Sequence, residues 1–344
     1  MRENASFPSA GDASSAGADR AATGLPPGLA WPSLAQFVWF LRDRMGMLEA
    51  CRRRFGDVFT VRFPWQTLVF IADPALVKEI FTGDPDVLHA GRGNDILRPL
   101  LGDSSLLLLD GGEHLRQRRL LLPPFHGQRM RTYGDLIRDV TLEDMASWPR
   151  GSAFPVHPRM QEITLSVIMR AVFGMEEGAA YSELHDRLRE LLEQGARAFI
   201  AMLPFFQFEL GGLSPYGRLV RRMREIDDLL YREIERRRSE GGLEARSDVL
   251  SLLLQAVDEE GRPMTPKELR DELMTLLVAG HETSATSLAW CFYYVLKHPE
   301  VHAKVREELR RIYGEGPVTP ERLNDLEYLE ATIQEVSRLQ PILV

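Results

Sequence analysis

The chain has 344 residues, of which 44% are hydrophobic, and a formal net charge of −8 at pH 7. This length and apolar content suffice to bury a large core. The acidic balance argues against a nucleic-acid-binding protein, which is usually basic. The two cysteines, Cys51 and Cys291, lie far apart and form no CxxC pair. That usage excludes a disulfide scaffold, a zinc finger and an iron–sulfur cluster, and it predicts a cytoplasmic protein.

The sequence is predicted to carry neither a secretory signal nor a membrane-spanning helix. Residues 1–24 are rich in Ala, Ser, Gly and Asp and are predicted to form a disordered tail, without the basic start and apolar centre of a secretory signal. The apolar stretch 34–41 is shorter than the about 20 residues that a bilayer-spanning helix needs. The longer apolar stretch 273–296 is interrupted by polar residues at 281–284. We therefore predict no transmembrane anchor and a single domain over residues 25–344.

Strand-forming residues are confined to the early part of the chain. DVFTVRF and TLVFIAD, separated by Pro64-Trp65-Gln66, predict a β-hairpin. A single helix ending near Phe55 is predicted before this hairpin, and Asp73-Pro74 opens a short helix to about Thr82. Residues 83–105 contain four glycines and are predicted to be irregular.

The remainder of the chain has helical periodicity, so the predicted fold class is mainly α with a small β region. The apolar, Pro- and Gly-broken segment 202–217 is predicted to be a loop. Helices are predicted over 111–122, ended by Pro123-Pro124, and over 129–147, 158–173, 181–200, 216–240, 247–258, 266–297, 299–314 and 326–340.

The predicted helix 266–297 carries residues that a buried helix ordinarily avoids. Gly280 in a helix interior costs about 1 kcal/mol relative to alanine, and together with Ala279 it removes side-chain bulk. The hydroxyl of Thr283 can bond back to the Ala279 carbonyl and bend the helix. Glu282 places a carboxylate in a predicted apolar setting. The alternative is a close helix crossing at Gly280 with a solvated Glu282.

Two metal-site patterns fail on inspection. His281-Glu282 does not complete the HExxH motif of a metalloprotease, because position 285 is alanine. The acidic run Asp227-Asp228-Leu229-Leu230-Tyr231 lacks the last aspartate of a DDxxD cluster. No protein residue is therefore predicted to ligate a metal ion.

Two further residue pairs have helical spacing. His114 and Arg118, in GGEHLRQRR, lie four residues apart and share one helix face, where two donor groups suit two carboxylates. Glu335 and Arg338, in EVSR, lie at positions i and i+3. For both pairs the alternative is an ordinary charged helix surface.

The three motifs together resemble the cytochrome P450 family. AGHET at 279–283 matches the family's A/G-G-x-D/E-T signature in its central helix, GGEHLRQRR is similar to the helix that bonds the haem propionates, and EVSR matches ExxR. They occur in the family's order, and the resemblance spans residues 25–344. It implies the mainly α P450 fold of a soluble, bacterial-type member.

The resemblance implies an oxygen-handling role for the central helix. Gly280 and Ala279 would leave the groove that O2 occupies. Thr283 and Glu282 would deliver protons to the bound dioxygen as general acids.

The resemblance also assigns the two helical pairs. His114 and Arg118 would hold the haem propionates. Glu335 and Arg338 would be structural, as buried scaffolding behind the haem.

One family motif is missing from this sequence. The family's loop resembling F-x-x-G-x-R-x-C-x-G follows ExxR, and its cysteine thiolate is the axial iron ligand. The chain stops at RLQPILV without such a loop, and neither Cys51 nor Cys291 lies in comparable surroundings. We expect a P450 that is C-terminally truncated before the haem-ligating loop and that does not bind haem through a thiolate by itself.

The resemblance implies that the complete parent is a haem-thiolate monooxygenase inserting one oxygen atom from O2 into an organic substrate. No dinucleotide-binding glycine loop is present, so NAD(P)H electrons would arrive through a separate ferredoxin or reductase. Residues 88–105 and 195–215 would line the pocket, and their Leu, Ile and Phe content favours a hydrophobic substrate such as a fatty acid, terpenoid or polyketide. The alternative is a non-catalytic, haem-free helical fragment that at most binds a hydrophobic ligand.

Overall fold

A computed structural model describes residues 24–126, 128–193, 202 and 214–342. The chain divides into two compact units, the first ending at Leu88 and the second beginning at His89. The predicted disordered tail lies outside the described residues except for Gly24, and so does most of the predicted loop 202–217. The prediction of a single domain over residues 25–344 stays a prediction.

The first unit combines three helices with a two-stranded sheet. Its elements are α1 (Ser33–Arg42), α2 (Arg44–Phe55), β1 (Val58–Arg62), β2 (Thr67–Ile71) and α3 (Pro74–Phe81). The strands are antiparallel, with Val58 opposite Ile71, so the predicted hairpin is confirmed. The prediction of one helix before it is wrong, because Asp43 leaves the helical conformation and caps α2 by accepting the Gly46 N–H at 2.9 Å.

The second unit is helical. Its helices are α4 (Ala90–Gly93), α5 (Arg98–Leu101), α6 (Gly111–Leu121), α7 (Gln128–Ala146), α8 (Val156–Ala171), α9 (Ala179–Leu192), α10 (Pro215–Glu240), α11 (Val249–Gln255), α12 (Pro266–Lys297), α13 (Pro299–Tyr313) and α14 (Glu327–Leu339). The prediction that 83–105 is irregular is wrong in part, since α4, a 3-10 turn at Asp95–Leu97 and α5 lie there. The predicted helix 181–200 is described only as far as α9 extends.

Helix α12 has both of the ends that the sequence predicts. Thr265 and Glu268 form a capping box: Thr265 Oγ1 accepts the Glu268 N–H at 3.2 Å, and Glu268 Oε2 accepts the Thr265 N–H at 2.7 Å. Pro266 occupies the first turn, where its missing N–H costs nothing. The helix ends at Lys297, two residues before Pro299.

The core of the second unit surrounds the N-terminal half of α12. Leu269, Leu273, Met274 and Leu277 are buried there, in one cluster with apolar residues of α8, α10 and α11. The C-terminal half differs, since Leu288, Phe292, Tyr293 and Leu296 are exposed among the described residues. The apolar composition therefore predicted burial correctly for only half of this helix. Across the described ranges, no helix is both long and apolar enough to cross a membrane.

Candidate functional site

A strip of small residues stays open at the centre of α12. Thr283 Oγ1 donates a hydrogen bond to the Ala279 carbonyl at 2.5 Å, as the sequence predicts. Ala279 is exposed, while Gly280, Thr283 and Ser287 are half-buried, and these four residues share about 100° of the helix surface. We call them the small-residue strip. It offers an accessible hydroxyl beside a stretch of helix without bulky side chains.

The glycine of this strip is not required by helix packing. A methyl group at Gly280 would lie 3.6 Å from Ile168 Cδ1 on α8, which is an ordinary van der Waals distance. Alanine would therefore fit at this crossing. The alternative that Gly280 serves a close helix crossing loses its steric basis, and the cost of about 1 kcal/mol for a mid-helix glycine needs another reason.

Glu282 does not lie in the apolar setting that the sequence predicts. Its side chain is 50% exposed and turned toward α8. There Gln161 Nε2 donates to Glu282 Oε2 at 2.8 Å, and His157 Nε2 lies 3.4 Å from Oε1. Thr286 Oγ1, one turn further along α12, donates to Oε1 at 3.3 Å. The prediction is wrong because Glu282 lies at the edge of the apolar face of α12. From there its side chain reaches polar residues of α8 and solvent.

His281 is a packing residue rather than a ligand. It is buried, and its Nδ1 lies 2.9 Å from Thr164 Oγ1 on α8. Burial lowers the pKa of His281 below its ordinary value, so the imidazole is neutral at neutral pH. The pair ties α8 to α12 directly beside the small-residue strip.

The predicted donor pair on α6 has no partner within the described part of the chain. His114 is half-buried and Arg118 exposed, and neither side chain bonds to another described residue. The adjacent arginines are engaged: Arg116 binds Asp258 at 2.6 Å, and Arg119 pairs with a glutamate at 2.5 Å. Helix α6 therefore keeps the predicted pair available for an external anion.

The ExxR pair is on the surface, contrary to the burial that the resemblance implies. Arg338 donates two hydrogen bonds of 2.7 Å to Glu335. The Arg338 side chain is 67% exposed and the Glu335 side chain 55%. This contact lowers the pKa of Glu335. The pair is exposed because none of the described residues covers this side of α14.

Neither cysteine has the environment of a thiolate. Cys51 is buried in the core of the first unit, where burial raises its pKa to about 11. Cys291 is half-buried on α12, and burial raises its pKa as well. A ligating cysteine needs the opposite shift. The described residues also contain no group of three or more His, Cys, Asp or Glu that could hold a metal ion.

The sequence-based predictions missed one unusual acid. Glu272 on α12 is fully buried, and neither carboxyl oxygen has a hydrogen-bond partner in the described ranges. Its spacing carried the signal, because it lies three residues after Leu269 and four before Leu276, on an apolar side of the helix.

The chain matches a known protein family over most of its length. Residues 25–344 match the family model of cytochrome P450. The chain is 41% identical over 320 residues to putative cytochrome P450 135B1 of Mycobacterium tuberculosis, covering 93% of this chain and 66% of that protein. It is 40% identical over 290 residues to putative cytochrome P450 138 of the same organism, covering 83% and 64%. The chain thus spans just under two thirds of the length of these relatives.

Solved structures share the fold at lower sequence identity. Cyanobacterial CYP120A1 with bound retinoic acid matches with a TM-score of 0.75 at 22% identity, covering 92% of this chain and 70% of that one. The heme domain of cytochrome P450DA also matches with a TM-score of 0.75, at 24% identity, covering 91% and 69%. These likenesses establish the architecture, and the match over residues 25–344 establishes the family. The chain is a member of the cytochrome P450 family.

Proposed function

We propose that this chain forms the oxygen- and haem-facing part of a cytoplasmic haem-thiolate monooxygenase, which inserts one atom of O2 into a hydrophobic organic substrate. The observation that carries the proposal is the small-residue strip, with its accessible Thr283 hydroxyl at the centre of a long helix. Helix packing does not require small residues here. The space they leave on this P450 helix is better suited to a small bound molecule than to a side chain of a neighbouring helix.

The residues present fit a haem in part. His114 and Arg118 are available donors on one helix face and would hold its two propionates by charge-assisted bonds. When bound, haem supplies oxygen activation. Neither Cys51 nor Cys291 fits the axial thiolate, so thiolate ligation by these 344 residues alone is not expected.

The strip can hold and pass a proton. In the general-acid role, Thr283 Oγ1 would exchange its bond to the Ala279 carbonyl for a bond to an oxygen atom of O2. Glu282, one residue earlier and half-exposed, would collect a proton from solvent at its carboxylate and return it to the hydroxyl. Gly280 and Ala279 leave room for O2.

Two electrons per turnover would come from NAD(P)H through a separate ferredoxin or reductase. Of the proposed pocket segments, 88–105 is described, whereas 195–215 falls largely outside the described residues. The substrate class rests on apolar composition, and a fatty acid, terpenoid or polyketide would suit it.

Haem titration of the 344-residue chain tests the anion-binding pair. Haemin is added while tryptophan fluorescence and haem absorbance are recorded. We expect Arg118→Gln and His114→Ala each to weaken binding about tenfold, because each removes one charge-assisted bond. Arg119→Gln on the same helix is the matched control and should bind like the unmodified chain. Equal affinity in all four proteins would contradict the assignment.

The same titration addresses a second candidate function. The cysteine environments favour a haem-free helical protein that at most binds a hydrophobic ligand. Under that alternative, haemin shows no saturable binding while an apolar fluorescent probe still binds. If haemin binds, a reduced-CO difference spectrum should lack the thiolate-type band, and observing that band would overturn our interpretation of both cysteines.

A further inference from the structure

The segment 102–108 crosses the N-terminal half of α12 immediately before α6 and is locked onto it by Asp271. The Ser104 N–H donates to Asp271 Oδ2 at 2.9 Å. Gly102 has a φ of +84°, and a methyl group there would lie 2.1 Å from Asp271 Oδ1. Only glycine fits this position, so the segment approaches the carboxylate as closely as a backbone can.

Two more bonds fix the same crossing. Thr275 Oγ1 donates to Ser105 Oγ at 2.7 Å, and both residues are buried. Arg270 Nη1 donates to the Leu101 carbonyl at 3.0 Å. The chain from 101 to 105 is therefore held by three polar side chains of one helix.

Glu272 lies between these hydrogen-bonding residues of α12 but forms no such bond itself. It is 0% exposed, and both carboxyl oxygens lack a partner in the described chain. The Leu106 N–H approaches the carboxyl and lowers its pKa, without reaching hydrogen-bonding geometry. Burial raises the pKa of Glu272 by more than Leu106 lowers it. The negative charges of Asp271 and Glu268 raise the pKa further, to about 8.

The nearby cations are already engaged. Lys267 pairs with Asp271 at 3.0 Å and with Asp103 of the crossing segment at 3.4 Å. Arg270 binds Asp227 of α10 at 2.6 Å. Arg116 of α6 binds Glu268. Among the described residues, no cation remains to pair with an ionised Glu272.

We propose that Glu272 is a positioning residue that keeps segment 102–108 docked on α12 only while its carboxyl is protonated. Ionisation sends one proton to solvent and leaves an unpaired charge beside Asp271 in a buried site. Such a charge is costly until water reaches it. Water can enter where the segment lifts from the helix, and α6 with His114 follows directly along the chain. The protonation state of Glu272 thereby controls how firmly the start of α6 is held.

Hydrogen exchange of the 102–108 amides from pH 6 to 9 tests this, with rates corrected for intrinsic exchange. In the unmodified chain, protection should fall about tenfold per pH unit until Glu272 is ionised, because opening is coupled to loss of one proton. Glu272→Gln should keep high protection at every pH. Glu307→Gln, an exposed acid on α13, should behave like the unmodified chain. Protection independent of pH, or the same slope in Glu272→Gln, would overturn the proposal.

Infrared spectroscopy gives a second test that needs no variant. At pH 7 the unmodified chain should show the band of a protonated carboxylic acid, which is lost by pH 9. Absence of this band at pH 7 would overturn the proposal even if Glu272→Gln fails to fold.

Discussion

Thr283 Oγ1 donates its proton to the carbonyl oxygen of Ala279, one turn earlier on α12, at 2.5 Å. The bond lies within one helix and joins no other element. The hydroxyl therefore stays accessible and can change its hydrogen-bond partner. A hydroxyl bonded between two packed helices would lack this freedom. Through this bond, Thr283 does not hold α12 to any other element.

Replacing Thr283 by alanine should change stability little. The lost intrahelical bond contributes about 1 kcal/mol, and the higher helix propensity of alanine offsets part of it. We expect a change in the free energy of unfolding of about 1 kcal/mol or less, measured by urea denaturation. Thr283→Ser, which keeps the hydroxyl, is the control. A loss above about 2 kcal/mol would assign Thr283 a structural role.

Replacing Gly280 by alanine should stabilise the chain. The new methyl group meets Ile168 at an ordinary van der Waals distance, and alanine removes the backbone-entropy cost of glycine. Thermal unfolding should show a gain of about 0.5–1 kcal/mol. Gly102→Ala, which would collide with Asp271, should destabilise and serves as the contrasting variant. Destabilisation by Gly280→Ala would restore the close-crossing explanation.

Replacing Glu272 by glutamine should alter the pH dependence of global stability. The pKa of Glu272 rises from 4.5 to about 8 in the folded state. Between these values the folded chain keeps a proton that the unfolded chain has lost, so its stability falls as pH rises, by up to about 1.4 kcal/mol per pH unit. Urea unfolding at pH 5, 6.5 and 8 should show a growing advantage of Glu272→Gln. An advantage that does not change with pH would refute the shift.

Replacing Arg338 by glutamine should leave the stability of the chain unchanged within experimental error. The Glu335–Arg338 pair is exposed, and solvent screens such pairs strongly. Thermal unfolding of Arg338→Gln and of Glu335→Gln measures this. A clear drop in the unfolding midpoint of either variant would indicate that the pair is covered in solution.

The sequence alone predicted the features that depend on local interactions. The start and end of α12 beside Pro266 and Pro299, the hairpin between residues 58 and 71, and the Thr283–Ala279 bond each involve residues close in the chain. Their geometry follows from backbone conformation and helical spacing, so sequence motifs and hydrophobic periodicity are enough to predict them. The P450 family could be inferred for the same reason, because its motifs are short and their order is linear.

Tertiary structure decided the surroundings of the charged residues. Glu282 and Glu272 are both acids on one long helix, yet Glu282 meets Gln161 on α8 and remains half-exposed, while Glu272 is buried near the backbone of Leu106. The α8 partners of Glu282 lie more than 100 positions away in the chain, and Leu106 beside Glu272 is equally remote. The electrostatic energy of a carboxyl depends on which remote groups surround it, and no local pattern determines which of these acids is hydrated and which is buried.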